Sequence, residues 1–151
     1  EGGAAKDTIT GGAGDDTITG GGAGDLLAGG GGADTFVYNA VSDSTGTKYD
    51  TISNFNATVD KIQFPTVPAH LDTAVTSGSL STATFNSDLH TDLAGHLAKG
   101  DAILFTASAG TLSGHTFLVV DANGSAGYQA NADFVVDVTG HTGTFTLSDF
   151  A

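Results

Sequence analysis

Apolar residues in the first part of the chain fall on a beat of nine. Ile9, Ile18, Leu27 and Phe36 each stand two places after an aspartate: Asp7, Asp16, Asp25 and Asp34. They belong to four unbroken units, GGAAKDTIT (2–10), GGAGDDTIT (11–19), GGGAGDLLA (20–28) and GGGGADTFV (29–37). The front of each unit is glycine-rich and suits a tight turn with positive φ. The back, with threonine, isoleucine or valine, suits a very short strand. One unit turns and then runs, so two units return the chain to its starting side. Residues two units apart are expected to lie above one another: Ile9 over Leu27, Ile18 over Phe36, Asp7 over Asp25, Asp16 over Asp34. The apolar places make a thin core, and the aspartates form two columns on opposite edges.

Alternation of apolar and polar residues continues past the repeats. It predicts two more strands, at Asp50-Thr51-Ile52-Ser53-Asn54-Phe55 and Asp60-Lys61-Ile62-Gln63-Phe64. Residues 65–81, with Pro65, Pro68 and a serine- and threonine-rich run, read as loop. Phe85, Leu89, Leu93 and Leu97 then recur at a spacing of four and predict one helix over about 85–99, stopped by Gly100. Strands follow at 102–107, 116–120 and 133–138, with a last short one at 144–147. Asp121-Ala122-Asn123-Gly124-Ser125 is the turn of a hairpin. Its oxygens, with Asp133 further on, have some of the spacing of a calcium loop but lack the third acid and the glutamate of an EF-hand. The expected organisation is a roll over 1–64 and a β-rich cap with one helix over 65–151.

Composition sharpens this picture. The formal net charge is −13 over 151 residues, and Glu1 is the sole glutamate. Such a surface is a poor partner for nucleic acid. Cysteine is absent, so no disulfide can staple a small exported domain. No apolar run approaches the roughly 20 residues of a membrane span. The five histidines show no helical i, i+4 zinc pair and no H-E-x-x-H, and G-x-S-x-G is also missing. No catalytic constellation is visible, and any active site is expected upstream of this chain.

Stacked carboxylates repel, and within the repeats Lys6 is the one basic residue. A bound cation is the natural remedy. Carboxylates and turn carbonyls are hard oxygen ligands that favour calcium, whereas magnesium prefers to keep its water. The units resemble the repeats-in-toxin (RTX) nonapeptide G-G-x-G-x-D-x-U-x, which forms a calcium-binding parallel β-roll. Units 11–19 and 29–37 fit it fully, while Ala5 and Ala23 stand where the others have a fourth-place glycine. The resemblance implies several calcium ions held between turns one coil apart. One site joins Gly3, Ala5 and Asp7 to Gly20, Gly22 and Asp25. A second joins Gly12, Gly14 and Asp16 to Gly29, Gly31 and Asp34. Asp43, nine residues after Asp34, is placed to face Asp25, and Asp60 to serve Asp34; each is weighed against an ordinary solvated turn aspartate.

The order D-x-F-V-Y, D-x-I-x-N-F, D-x-I resembles the end of the roll in serralysin-type metalloproteases and other proteins exported by type I systems. Asn54 departs from that pattern, which has aspartate there. The resemblance implies a secreted or cell-surface bacterial protein, with a non-catalytic module that folds on calcium outside the cell. It implies an export signal read by the type I secretion machinery, for which Asp149-Phe150-Ala151 is the candidate. The alternatives are an S-layer or adhesin terminus, with self-association or a cell-surface glycan as partner, and the tail of a secreted protease or lipase.

Overall fold

The computed structural model describes residues 1–151 and contains nine strands and one α-helix. The protein is mainly β. Strands β1 (Thr8–Ala13), β3 (Leu26–Gly31) and β5 (Asp50–Ser53) run parallel in one sheet. Strands β2 (Thr17–Ile18), β4 (Thr35–Val37) and β6 (Lys61–Gln63) run parallel in a second. Successive strands alternate between the sheets, so each coil of the roll takes two nonapeptides. The register is the one the beat of nine demands: Ile9 pairs with Leu27, and Ile18 with Phe36. The pairing continues to Ile52 and Ile62. β1 and β3 run on through their glycines, because the stacked turns also pair, Gly12 with Gly30 and Ala13 with Gly31.

The cap extends the first sheet. β8 (Thr116–Val120) runs antiparallel to both β7 (Ala102–Thr106) and β9 (Phe134–Asp137), and β9 pairs in parallel with β5. One six-stranded sheet, in the order β1-β3-β5-β9-β8-β7, therefore crosses from roll to cap. Its inner face and the three-stranded sheet enclose a core that runs from Ile18, Leu27 and Phe36 to Val136, Val138 and Phe150. On the other side of the cap strands lies a second cluster built on Phe85, Leu89, Phe105, Phe117 and Tyr128.

Three elements differ from expectation. Helix α1 spans Phe85–Asp92 and stops well short of 99. Gly95 adopts φ +77 and breaks the helical path, while Leu93 and Leu97 stay fully buried on the turns that follow. Residues 144–147 form no strand; Phe145 packs its ring on Phe55 at 4.9 Å, and Leu147–Asp149 makes a 3-10 turn. The 65–81 segment, read as loop, is not loose. It bridges the β7 side of the sheet at Leu71–Ala102, Val75–Phe105 and Ser79–Ala109.

Candidate metal centre

The aspartates stack in two columns, and main-chain hydrogen bonds lock them there. The Asp7 amide donates to Asp25 Oδ1 at 2.8 Å, and the Asp25 amide donates to Asp50 Oδ1 at 2.8 Å. In the other column the Asp16 amide donates to Asp34 Oδ1, and the Asp34 amide to Asp60 Oδ1, both at 3.0 Å. Each aspartate carbonyl accepts the amide that follows the next aspartate in its column, as in Leu26 N to Asp7 O at 2.9 Å. Oδ1 of Asp25, Asp34, Asp50 and Asp60 is thus spent on fixing the coil; Oδ2 of Asp7 and of Asp60 takes the Gly3 and the Asn56 amide, each at 2.8 Å, and the remaining second oxygens are left for other chemistry.

Those second oxygens are the unusual atoms of this protein. Oδ2 of Asp16, Asp25 and Asp50 is buried and makes no hydrogen bond within normal geometry, although the Tyr38 hydroxyl, itself unpaired, lies beside Asp50. Asp25 and Asp50 are almost fully enclosed, at 2% and 0% exposure. A buried, ionised oxygen without a partner is expensive. The glycine that opens each unit makes room for them. A methyl group at Gly11 would fall 2.5 Å from Asp16 Oδ2 and 2.7 Å from the Gly29 carbonyl oxygen. At Gly2 it would meet Asp7 Oδ2 and the Gly20 carbonyl, and at Gly29 the Asp34 Oδ2. At Gly20 it would meet Asp25 Oδ2, with Asp50 Oδ2 at 3.1 Å. Carboxylate and carbonyl oxygens from successive coils converge on these slots.

The donor set fits calcium. It is all oxygen and includes ionisable carboxylates with free lone pairs. At no point do three acidic or histidine side chains gather. An ion here would take two carboxylates at most and complete its shell from main-chain carbonyls or water. Asp7 with Gly20, Asp16 with Gly29, and Asp25 with Asp50 are the groupings that would hold it. Other expected carbonyls are placed differently. Gly3 O accepts the Gly22 amide at 2.8 Å, and Gly31 O the Gly14 amide at 2.6 Å, so these tie coil to coil. Gly12 O lies beneath Gly30, and Ala5 sits in an exposed bend.

The two aspartates expected at the end of the roll part ways. Asp60 stands in the Asp34 column, fully buried, and its Oδ2 accepts the Asn56 amide at 2.8 Å. Asp43 does not face Asp25. Its Oδ2 accepts the amides of Asn39 and Ala40 at 2.8 and 3.0 Å, and Asp50 takes the place against Asp25. The signal for Asp50 was present: Asp50-Thr51-Ile52 repeats the aspartate–x–apolar pattern of Asp7-Thr8-Ile9. Burial pushes the Asp50 carboxyl up to about 7; the Asp25 charge adds to the rise, and the Asp25 amide opposes it. Burial also raises the nearby Tyr38 hydroxyl well above its usual value, with the Asp50 charge second.

The Asp121–Asp133 loop is an Asx-type turn. Asp121 Oδ1 accepts the amides of Asn123 and Gly124 at 3.1 and 2.8 Å, and its Oδ2 accepts the Gly100 amide at 2.7 Å. Two histidines lean on carboxylates, His115 on Asp137 at 2.8 Å and His70 on Asp101 at 3.1 Å, with no hydroxyl nucleophile bonded to either ring. Across the whole chain, no helix is long and apolar enough to cross a membrane.

A search of curated proteins returns no match. The protein-family model for the peptidase M10 serralysin C-terminal domain matches residues 3–151. That family suggests a calcium-binding, RTX-type domain of secreted proteins, and the domain is a non-catalytic part of the protease. With this match covering nearly every residue, and with two parallel sheets stacking its aspartates, the chain belongs to the peptidase M10 serralysin C-terminal family.

Proposed function

We propose that this chain is a calcium-operated folding module for an exported protein. The buried Oδ2 atoms of Asp16, Asp25 and Asp50, which lack a hydrogen bond of normal geometry, carry the reading. Without cations the columns bring like charges together in a chain already at −13, which opposes winding. With cations the same oxygens become ligands, and binding energy becomes folding energy. Extracellular calcium modules bind at about 10⁻⁴–10⁻³ M. At about ten times the dissociation constant, one site adds roughly 1.4 kcal/mol. Two to four sites then add on the order of 3–6 kcal/mol, comparable to the whole stability of a small domain. In a calcium-poor cytosol the chain stays open and threadable; outside, the roll winds.

Engagement of Asp149-Phe150-Ala151 by the type I machinery fits the same sequence of events. Once folded, Phe150 packs into the roll core and the Ala151 amide donates to Ile62 O at 3.1 Å, so recognition would precede winding. The test is a calcium titration of the chelated chain, followed by circular dichroism and by amide protection of β1 to β6. A sigmoidal gain of strand signal with millimolar calcium, reversed by chelator, is expected. Equal order in calcium and in excess chelator would refute the proposal.

A further inference from the structure

Two of the four lysines occupy a single cleft that the calcium reading leaves unused. The cleft has a volume of about 420 Å³ and lies on the outer face of the first sheet. Its floor is a cross-strand row, Thr8 on β1, Leu26 on β3 and Thr51 on β5, in direct register. With strands about 4.8 Å apart, the two threonine hydroxyls stand roughly 10 Å from each other with an apolar step between them. Leu26 is one of only four large apolar residues left open to solvent, at 40% exposure. Lys6, Lys48 and Tyr49 also line it, the last two from a strap that crosses over Gly24.

The far wall is built in. Gly24 lets the strap carrying Lys48 and Tyr49 lie directly on the roll, since a methyl group there would fall 2.7 Å from the Tyr49 carbonyl oxygen. The Tyr49 ring is fixed between Phe85 and Phe117, each centroid 5.1 Å away. A wall held this way costs little entropy when a ligand arrives.

The charges are out of balance in a telling way. The chain has 17 acidic residues, yet of its four lysines only Lys61 pairs with one, Asp149 at 3.8 Å. Lys6 and Lys48 have no carboxylate partner. Asp25 lines the same cleft, but its Oδ1 is held by the Asp7 amide and its Oδ2 lies buried in the column. An anionic group entering the cleft would meet two unspent ammonium groups. Beside them lie hydroxyls from threonine and tyrosine and an apolar leucine, matching the hydroxyls and the C–H face of a sugar ring.

We propose that this cleft binds an acidic saccharide of about two sugar units, with Lys6 and Lys48 taking its carboxylates and Thr8, Thr51 and Tyr49 its hydroxyls. The site stands apart from the calcium ligands, but calcium assists it. Each bound ion removes two units of the negative charge that repels such a ligand, so affinity for the sugar rises with calcium loading.

Digalacturonic acid, titrated into the calcium-loaded chain and followed by ¹H–¹⁵N spectra, tests this. It should shift the amides of Thr8, Leu26 and Thr51 at saturable, millimolar or lower concentration. Lactose and acetate should each bind at least about tenfold more weakly, since each lacks one half of the recognised chemistry. The double substitution Lys6→Gln, Lys48→Gln should cost about tenfold or more in affinity, while Lys99→Gln, which removes the same charge elsewhere, changes little. Leu26→Glu, which keeps both lysines, should also abolish binding, and circular dichroism on every variant guards against misfolding. Acetate as strong as digalacturonate, shifts elsewhere or none, or an unchanged affinity in the double variant would each overturn the proposal. A loss of calcium-driven folding with sugar binding intact would instead sink only the reading of the preceding subsection.

Discussion

The roll and the cap bury the same residue, aspartate, to opposite ends. In the cap the fully buried Asp133 and Asp137 are satisfied by the protein, and one half-buried acid, Asp92, keeps an enclosed oxygen without a hydrogen bond. Asp133 accepts the Ala122 amide, the Asn123 side-chain amide and the Gln129 amide at 3.2, 2.8 and 2.6 Å. Asp137 accepts the Thr139 amide at 2.9 Å and takes His115 at 2.8 Å. These acids pin turns, and the cap needs nothing from solution to hold them. In the roll one oxygen of each stacked pair pins the coil, and at Asp16, Asp25 and Asp50 the Oδ2 atom makes no hydrogen bond of normal geometry. The cap leaves one such oxygen, at Asp92, whereas the roll stacks three along its two columns. One continuous sheet joins them through β5 and β9.

The largest effect is expected from substitutions that separate those two uses. Asp25 stands mid-column, bonded to Asp7 on one side and Asp50 on the other. Asp25→Ala should therefore remove the ion position it shares with Asp50, worth about 1.4 kcal/mol at tenfold excess calcium, and also the bond that the Asp7 amide donates to it, whereas Asp7→Ala removes one ion position at the exposed end of the column. Asp16→Ala should likewise weaken calcium-driven folding. Calcium stoichiometry by calorimetry, alongside the folding midpoint, reads this out. Equal ion counts in the wild-type chain and Asp25→Ala would break the column picture. Asp133→Ala belongs to the other class. It strands three donors and should cost about 2–4 kcal/mol in urea, yet the calcium count at saturation should not change.

How far each half could be read beforehand follows the same division. The roll is legible because one period governs both its turns and its core, so Ile9, Ile18, Leu27 and Phe36 announce the register that the strands adopt. Legibility fails where the period fails. Between Val37 and Asp50 the chain inserts a 3-10 turn and a tight turn at Thr45–Lys48, and this shifts the next aspartate of the column. Asp43 keeps the spacing of nine, but that spacing has no meaning once the chain leaves the coil, and its carboxylate caps its own turn. Asp50 carries the right local pattern at the wrong interval. In the cap the strands at 102–106 and 116–120 were plain from apolar runs, while the helix end at Asp92 depended on a single glycine conformation inside a spacing that continued. The cleft at Lys6 and Lys48 was invisible, since its walls come from segments about forty residues apart in sequence that only the folded roll brings together.

Acidity should move the two halves in one direction without calcium and in different directions with it. The Asp50 carboxyl, raised to about 7, and Asp133, raised to about 6, both gain protons more readily when folded than when unfolded. Burial is the main cause in each case. The stability they contribute is fully present below the ordinary carboxylate range and is lost as pH rises through 6 to 7. The metal-free chain should therefore resist urea better at pH 5 than at pH 8. The calcium-loaded chain should show the reverse trend in its roll, because protons compete with calcium for Asp50. Urea midpoints at the two pH values, read by amide protection for each half, would reveal the crossing. A loaded roll that gains stability on acidification would show that Asp50 is not a ligand.

The smallest effect tests how well individual turns obey the repeat. The fourth place of the unit is Ala5, Gly14, Ala23 and Gly32 in turn. Gly14 and Gly32 adopt φ +99 and +121, and Ala23 is held at φ +87, where an L side chain is strained. Ala5 lies in the first, exposed turn and has no positive φ. The same substitution at these two equivalent places should then have opposite signs. Ala23→Gly relieves the strain of a turn enclosed between two coils and should raise the unfolding midpoint in calcium, by about 1 kcal/mol. Ala5→Gly relieves nothing and adds freedom to the unfolded chain, so it should be neutral or cost a few tenths of a kcal/mol. Urea titrations of both variants in saturating calcium decide it. A gain at Ala5 equal to that at Ala23 would mean that the first turn, too, winds into the left-handed conformation once its ion is bound.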